Sequence, residues 1–144
     1  MNKQSGFTLI EIMVVVVIMG VLIGLIAPNI LGRVDDARAT AAQADINVLS
    51  QALDMYKLDN QHYPSTDQGL YALVEPPSGS PEPRRWNPDG YLKKSTLPRD
   101  PWGNEYQYVS PGSRSAYDLY SLGADGKEGG DSFDADVGNW EEEN

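Results

Sequence analysis

The sequence predicts an α+β protein, in which one long N-terminal α-helix carries a small antiparallel β-sheet head. Three observations lead there. Between Gly6 and Pro28 lie 21 residues with a single charged side chain, Glu11. From residue 30 to residue 56 apolar side chains return every three or four positions, the period of a helix. Near the C-terminus two short, tyrosine-rich runs alternate in polarity on either side of a Pro-Gly turn.

The first element is long enough to cross a bilayer as a helix. A cleaved secretory signal fits it poorly. The apolar run is longer than the usual signal core, Pro28 follows directly after Ala27, and Leu25 stands where a small residue is expected. An ordinary anchor fits the length, and Gly20 and Gly24 form a G-x-x-x-G pair suited to close helix packing. An anchor leaves Glu11 unexplained, because a carboxylate in hydrocarbon costs roughly 2.5–3.5 kcal/mol and normally has a partner. Position near the helix start, where the dipole favours an anion, is one account of it. Another is a cut between Gly6 and Phe7. That cut would place a charged amine one helical turn from Glu11, and in a stack of parallel helices the carboxylate of one copy could meet the amine of the next. Glu11 would then set the register of an assembly.

After Pro28, which lacks an N–H and should kink or loosen the helix, the helical pattern resumes and runs to about Leu58. Ile30, Val34, Ala37, Ala41, Ala44, Val48, Ala52 and Met55 form one apolar stripe. A second line, Ile46, Leu49, Leu53 and Tyr56, widens it over the last turns, where a head would pack. Arg33, Asp36, Arg38, Gln43, Asp45, Asn47 and Asp54 read as the opposite, polar face. So long a helix is not stable alone over its exposed half and calls for partner helices.

The head follows from residue 59. Ser65 to Gln68 reads as a capped helix start, with a short helix over residues 69–74. Residues 75–83 hold four Pro among nine positions and must be loop. Pro88-Asp89-Gly90 reads as a turn. Residues 105–110 and 116–122 read as strands joined by PGSRS. Alternation puts Tyr106 and Tyr108 on one face, and separates Tyr117, Leu119 and Ser121 from Asp118, Tyr120 and Leu122.

Composition removes whole classes of function. The net charge of −10 argues against nucleic acid as a partner. The absence of cysteine rules out thiol chemistry, thiolate metal sites and disulfide staples. His62 is the single histidine and sits beside a proline turn, which reads as a surface position rather than part of a triad. Residues 115–144 hold nine acids against one lysine. Within them Asp125, Glu128, Asp131, Asp134 and Asp136 lie among glycines. Crowded carboxylates in a flexible chain repel one another, and a hard divalent cation, calcium above all, would hold them. The spacing is not that of an EF-hand, since Lys127 and Gly129 occupy its third and fifth positions. Phe133, Val137 and Trp140 read as anchors that tie this loop, residues 122–140, to a fold. A periplasmic enzyme using Asp118 and Asp125 as acid and base is a further reading, but no pocket is evident around that pair.

The stretch GFTLIEIMVVVVIMGVLIGLIAPN resembles the processing signal of type IV pilins and type II secretion pseudopilins, through Gly6, Phe7, Thr8, Leu9, Glu11 and Pro28. ALDMYKLDNQHYPSTDQGL, LPRDPWGNEYQY and YDLYSLGADGKEGG, in that order, resemble the major pseudopilins among them. The resemblance implies a type IV pilin-like fold with four parts. These are a leader (1–6), a membrane and assembly helix (7–27), its periplasmic continuation (28–58) and a head (59–144). It implies cleavage between Gly6 and Phe7 by a prepilin peptidase, N-methylation of Phe7, and a role in assembly for Glu11 and Pro28. The site would be the inner membrane with the head in the periplasm. Partners would be copies of the chain, minor pseudopilins and an inner-membrane assembly platform; the extracellular type IV pilus is the alternative. It also implies Ca2+ bound by Asp125 and Asp136, then Asp134, with the carbonyls of Leu122 and Lys127.

Overall fold

The computed structural model describes residues 6–140, with the side chains of residues 27–31 outside that description. The leader before Gly6, the loosening expected at Pro28 and the acidic C-terminal end therefore lie outside the described residues. The chain divides into two compact units, Met1–Asp36 and Ala37–Asn144. Helix α1, Leu9–Asn60, contributes to both. In the first unit Leu9–Ile26 is an apolar run long enough to cross a membrane, and none of it is buried.

In the second unit the helix and the head share one core. Ala42, Ile46, Leu49, Leu53, Tyr56 and Asn60 return at steps of four and three and are all buried, with Ala52 beside them. The second line of apolar residues is thus the packing face. The longer stripe is not: Val34, Val48 and Met55 are about half exposed at 43%, 56% and 55%, and Ala37, Ala41 and Ala44 are exposed as well. The expected polar face also divides. Asp45 Oδ2 accepts from Tyr106 Oη at 2.9 Å and Asp54 Oδ1 from Tyr63 Oη at 2.8 Å, so these two acids border the head.

Helix α1 ends two residues later than its pattern suggests, and Asn60 is the reason. Fully buried, its side-chain amide donates to Tyr56 O at 3.0 Å and to Tyr91 Oη at 3.2 Å, while its Oδ1 accepts from the Arg85 N–H at 2.8 Å. The last turn and the proline-rich segment are thereby fastened together. Gln61 then takes a left-handed conformation with φ 69°, which stops the helix. His62 is half-buried rather than a surface residue, its ring packed edge-on to Tyr56 with centroids 6.0 Å apart.

Ser65 and Gln68 form the expected reciprocal capping bonds, at 3.0 and 3.3 Å. They close a turn rather than an α-helix, and a short 3-10 helix, Leu70–Leu73, follows. With too few residues before the proline-rich loop, the segment has no room for a second α-helical turn. Gly90 at φ 73° completes the expected turn, its N–H donating to Asn87 O at 2.8 Å. Strands β1 (Gln107–Val109) and β2 (Asp118–Ser121) pair antiparallel, Tyr108 facing Leu119. A third strand, β3 (Val137–Gly138), joins the far edge of β2 through Tyr120–Gly138 and Ser121–Val137 and had no strand-like signal in the sequence. Two residues are too few to show alternation.

Tyr106, Tyr108 and Tyr117 are buried from the sheet side against Leu49, Leu53 and Tyr56. A buried phenol must keep its proton. Burial pushes Tyr106 and Tyr108 well above the ordinary value of 10, with the Asp45 bond adding to the shift at Tyr106. Burial and the Asp54 bond raise Tyr63 to about 12. Above pH 10 the unfolded chain has lost protons that the fold retains, so stability falls as pH climbs from about 10 through the folded-state values. Alkaline titration followed by tyrosinate absorbance and circular dichroism should show some of the eight tyrosines ionising only as the fold is lost. Eight ordinary, independent titrations with the fold intact would contradict this packing.

Candidate functional site

The two regions singled out by sequence lie in different units, one at the start of α1 and one after β2. At the helix start Gly6 and Phe7 precede α1 in irregular backbone, and the Phe7 side chain is 83% exposed. Glu11 is the third residue of α1. Its Oε2 accepts from the Thr8 N–H at 2.9 Å and from Thr8 Oγ1 at 3.1 Å, while Thr8 Oγ1 accepts from the Glu11 N–H at 3.3 Å. This is a capping box, in which two backbone donors left free by the first turn are satisfied reciprocally. The sequence carries its signal in Thr8-Leu9-Ile10-Glu11, a Thr-x-x-Glu spacing. A local partner thus accounts for one oxygen of Glu11 and for its tolerance at the helix start. Among the described residues Oε1 has no hydrogen-bond partner.

The acidic loop leaves β2 at Leu122 and returns into β3. Its base is closed by the Ala124 N–H donating to Phe133 O at 3.0 Å. Gly123, at φ 69°, lies so close to the returning chain that a Cβ there would stand 2.7 Å from Ala135 O and 2.9 Å from Asp134 O. Gly130 is similar, with Asp134 O 2.5 Å from the place of its Cβ. The glycines are therefore required by close backbone approach. Asp125 and Asp134 are exposed. Asp125 Oδ1 accepts from the Lys127 N–H at 3.0 Å, a local turn that orders its own peptide. Asp136 is half-buried. Its Oδ2 accepts from the Gly129 N–H at 3.0 Å, whereas its Oδ1 is buried and has no partner.

Among the described residues no three Asp, Glu or His side chains converge into a metal cage. A cation here would need carbonyl oxygens beside the carboxylates, and that is a donor set calcium accepts. An orphaned buried carboxylate oxygen and a backbone cradle with no room for a Cβ both fit such an ion. The expected anchors are unequal. Val137 packs on the core, and Trp140 stacks on Tyr120 at 5.4 Å and receives the Arg114 guanidinium at 3.9 Å from its ring centre. Phe133 remains 39% exposed and holds little.

The model of a prokaryotic N-terminal methylation motif matches residues 1–27. That of protein G of the type II secretion system matches residues 29–140. The type II secretion core protein G of Pseudomonas aeruginosa is 63% identical over 97% of both chains. That of Vibrio cholerae is 56% identical over 97% of this chain and 94% of the relative. A crystal structure of the major pseudopilin from enterohaemorrhagic Escherichia coli superposes with a TM-score of 0.69 at 45% identity, covering 78% of this chain and 95% of that one.

The chain belongs to the major pseudopilins of type II secretion systems.

This membership carries the fold, the long helix with its small antiparallel head, and places the chain with the pseudopilins rather than the subunits of extracellular pili. The family is one of structural subunits. Asp118, imagined above as half of an acid–base pair, has a structural task instead. Buried at the start of β2, it faces back over the β1–β2 connection, and its carboxylate accepts from the Ser113 N–H and Oγ, both at 2.8 Å, and from the Arg114 N–H at 3.2 Å. Burial acts to raise its pKa, but the bonds from Ser113, Arg114 and Ser115 outweigh it and hold the group below 3.8. Such a carboxylate is a loop latch and a poor proton donor.

Proposed function

We propose that this major pseudopilin is cut between Gly6 and Phe7 by a prepilin peptidase and methylated on the new Phe7 amine. It sits in the inner membrane through residues 7–27 with its head in the periplasm. From an inner-membrane assembly platform, copies polymerise with one another and with minor pseudopilins into a periplasmic pseudopilus that drives folded proteins across the outer membrane. The observation that carries this reading is the 18-residue apolar run Leu9–Ile26, wholly unburied, opening on the Thr8–Glu11 box. Such a surface is stable in lipid or against other helices and not in water. The mass of the N-terminal peptide from host membranes should be that of a chain beginning at Phe7 with one added methyl group. A start at Met1 or near Asn29 would overturn the processing.

Glu11 then serves two ends: Thr8 uses Oε2, and Oε1 remains for the Phe7 amine of a neighbouring copy. Two substitutions separate them. Glutamine can also serve in a capping box, so Glu11→Gln should preserve the helix start while abolishing filament formation through loss of charge. Glu11→Leu should remove both functions and leave membrane insertion intact. Filaments of ordinary length and yield from Glu11→Gln would reduce Glu11 to a cap.

Calcium completes the proposal. Asp125 and Asp136 would hold it, with Asp134 and the carbonyls of Leu122 and Lys127 completing the set. The ion would supply positive charge that offsets carboxylate repulsion and ties both ends of a glycine-rich loop together. In the full chain in detergent, Asp125→Ala should lower the melting temperature by several degrees and abolish the further drop that a chelator causes in the native protein. A variant that still responds to the chelator would place the ion elsewhere.

A further inference from the structure

We propose that Asp100 is a positioning residue of the calcium loop, acting through Ser121 to aim the Leu122 carbonyl; this rests on the calcium reading above. Asp100 lies in the Asp100–Asn104 turn, 21 residues before Ser121 in sequence. It is 4% exposed. Its Oδ1 accepts from the Trp102 N–H at 3.1 Å and the Asn104 N–H at 2.7 Å, which locks the turn. Its Oδ2 accepts from Ser121 Oγ at 2.6 Å, where Ser121 is fully buried at the end of β2. A hydroxyl that donates its one proton to a carboxylate turns its lone pairs elsewhere. Here they accept the Gly123 N–H at 3.2 Å.

That last bond fixes more than Gly123. The Gly123 N–H and the Leu122 C=O belong to one planar trans peptide, so they point in opposite directions. With the N–H held toward Ser121, the Leu122 carbonyl is turned away from the Asp100 pair. The same peptide enters the tightest point of the loop, where Gly123 meets the returning carbonyls of Asp134 and Ala135. The neighbouring turn also lies beside the loop further on. A Cβ at Gly126 would come 3.7 Å from the Asn104 side-chain amide. The buried carboxylate thus ties a preformed turn to the orientation of one carbonyl ligand. Ordering that carbonyl before the ion arrives lowers the cost of binding it.

Two variants of the full chain in detergent test this, stripped with a chelator and titrated with calcium chloride by calorimetry. Ser121→Ala removes the hydroxyl bridge and leaves Asp100 bonded to its own turn. Asp100→Asn keeps the shape and weakens the acceptor. Both should bind calcium at least tenfold more weakly than the native chain, while the chelated forms keep native circular dichroism. A merely structural role would lower the melting temperature equally with and without calcium and leave the affinity unmoved. Native affinity in both variants overturns the positioning role and leaves the calcium reading standing. No calcium uptake by the native chain overturns both. If Ser121→Ala loses its fold, Asp100→Asn decides alone.

Discussion

The head exists because one strip of helix is buried. Ile46, Leu49, Leu53 and Tyr56 are fully enclosed, and the buried apolar residues of the head, from Leu70 and Leu73 to Tyr117 and Leu119, form one cluster with them. A domain this small has little core to spare, and the strands of the sheet, at two to four residues, could not hold together alone. The helix provides a rigid floor, and the sheet contributes three buried tyrosines, Tyr108 from β1 and Tyr106 and Tyr117 from the residues just before β1 and β2. Tyrosine brings large apolar area with one polar atom to satisfy. Tyr106 Oη reaches Asp45 on the helix, and Tyr108 Oη reaches Pro64 O at 2.8 Å. The same acids that mark the helix as amphipathic are therefore hydroxyl partners of the head.

This arrangement divides the circumference of the helix between two uses. From Ala42 to Asn60 one face is spent on the head, while the longer stripe through Val34, Val48 and Met55, with Leu58 beyond it, stays exposed, Leu58 at 81%. A subunit built only to be soluble would not maintain that line. Alanine at positions 37, 41 and 44 keeps it narrow, which suits backbone approach more than a bulky core. Polymerisation would cover it, so the head and the filament would draw on adjacent strips of one element.

What the sequence made legible follows from how each feature is encoded. The apolar run, the helical period and the alternating tyrosines are periodic, and periodicity survives without coordinates. The processing motif and the acidic loop are read from residue type and spacing. The line that takes the head, Ile46, Leu49, Leu53 and Tyr56, is legible too; that the longer stripe beside it stays exposed is not, because its valines and methionine look as buriable as the leucines. Side-chain volume decided it, since Leu49, Leu53 and Tyr56 fill space that alanines cannot. Strand β3 was invisible at two residues. The roles of Asn60, Asp100, Asp118 and Ser121 were equally hidden, because each depends on a polar partner brought near by the fold.

The acidic residues sort by what the fold offers them. Asp118 and Asp100 are buried; Asp118 takes its donors from the turn before β2, and Asp100 takes two N–H groups from its own turn and the Ser121 hydroxyl from β2. Glu11 shares a capping box at the helix start. Each is complete or nearly so within the chain. Asp136 is different, with one oxygen bonded to a glycine N–H and the other buried and alone, a state that costs free energy unless a positive partner is supplied. Among the described residues no basic side chain is paired with Asp125 or Asp134 in the same loop. Net charge alone would not distinguish these groups, since all are carboxylates in a chain of charge −10. Donor supply does: where the turn provides N–H groups the acid is structural, and where the glycine loop provides fewer, the acid has an oxygen left over for the cation proposed above.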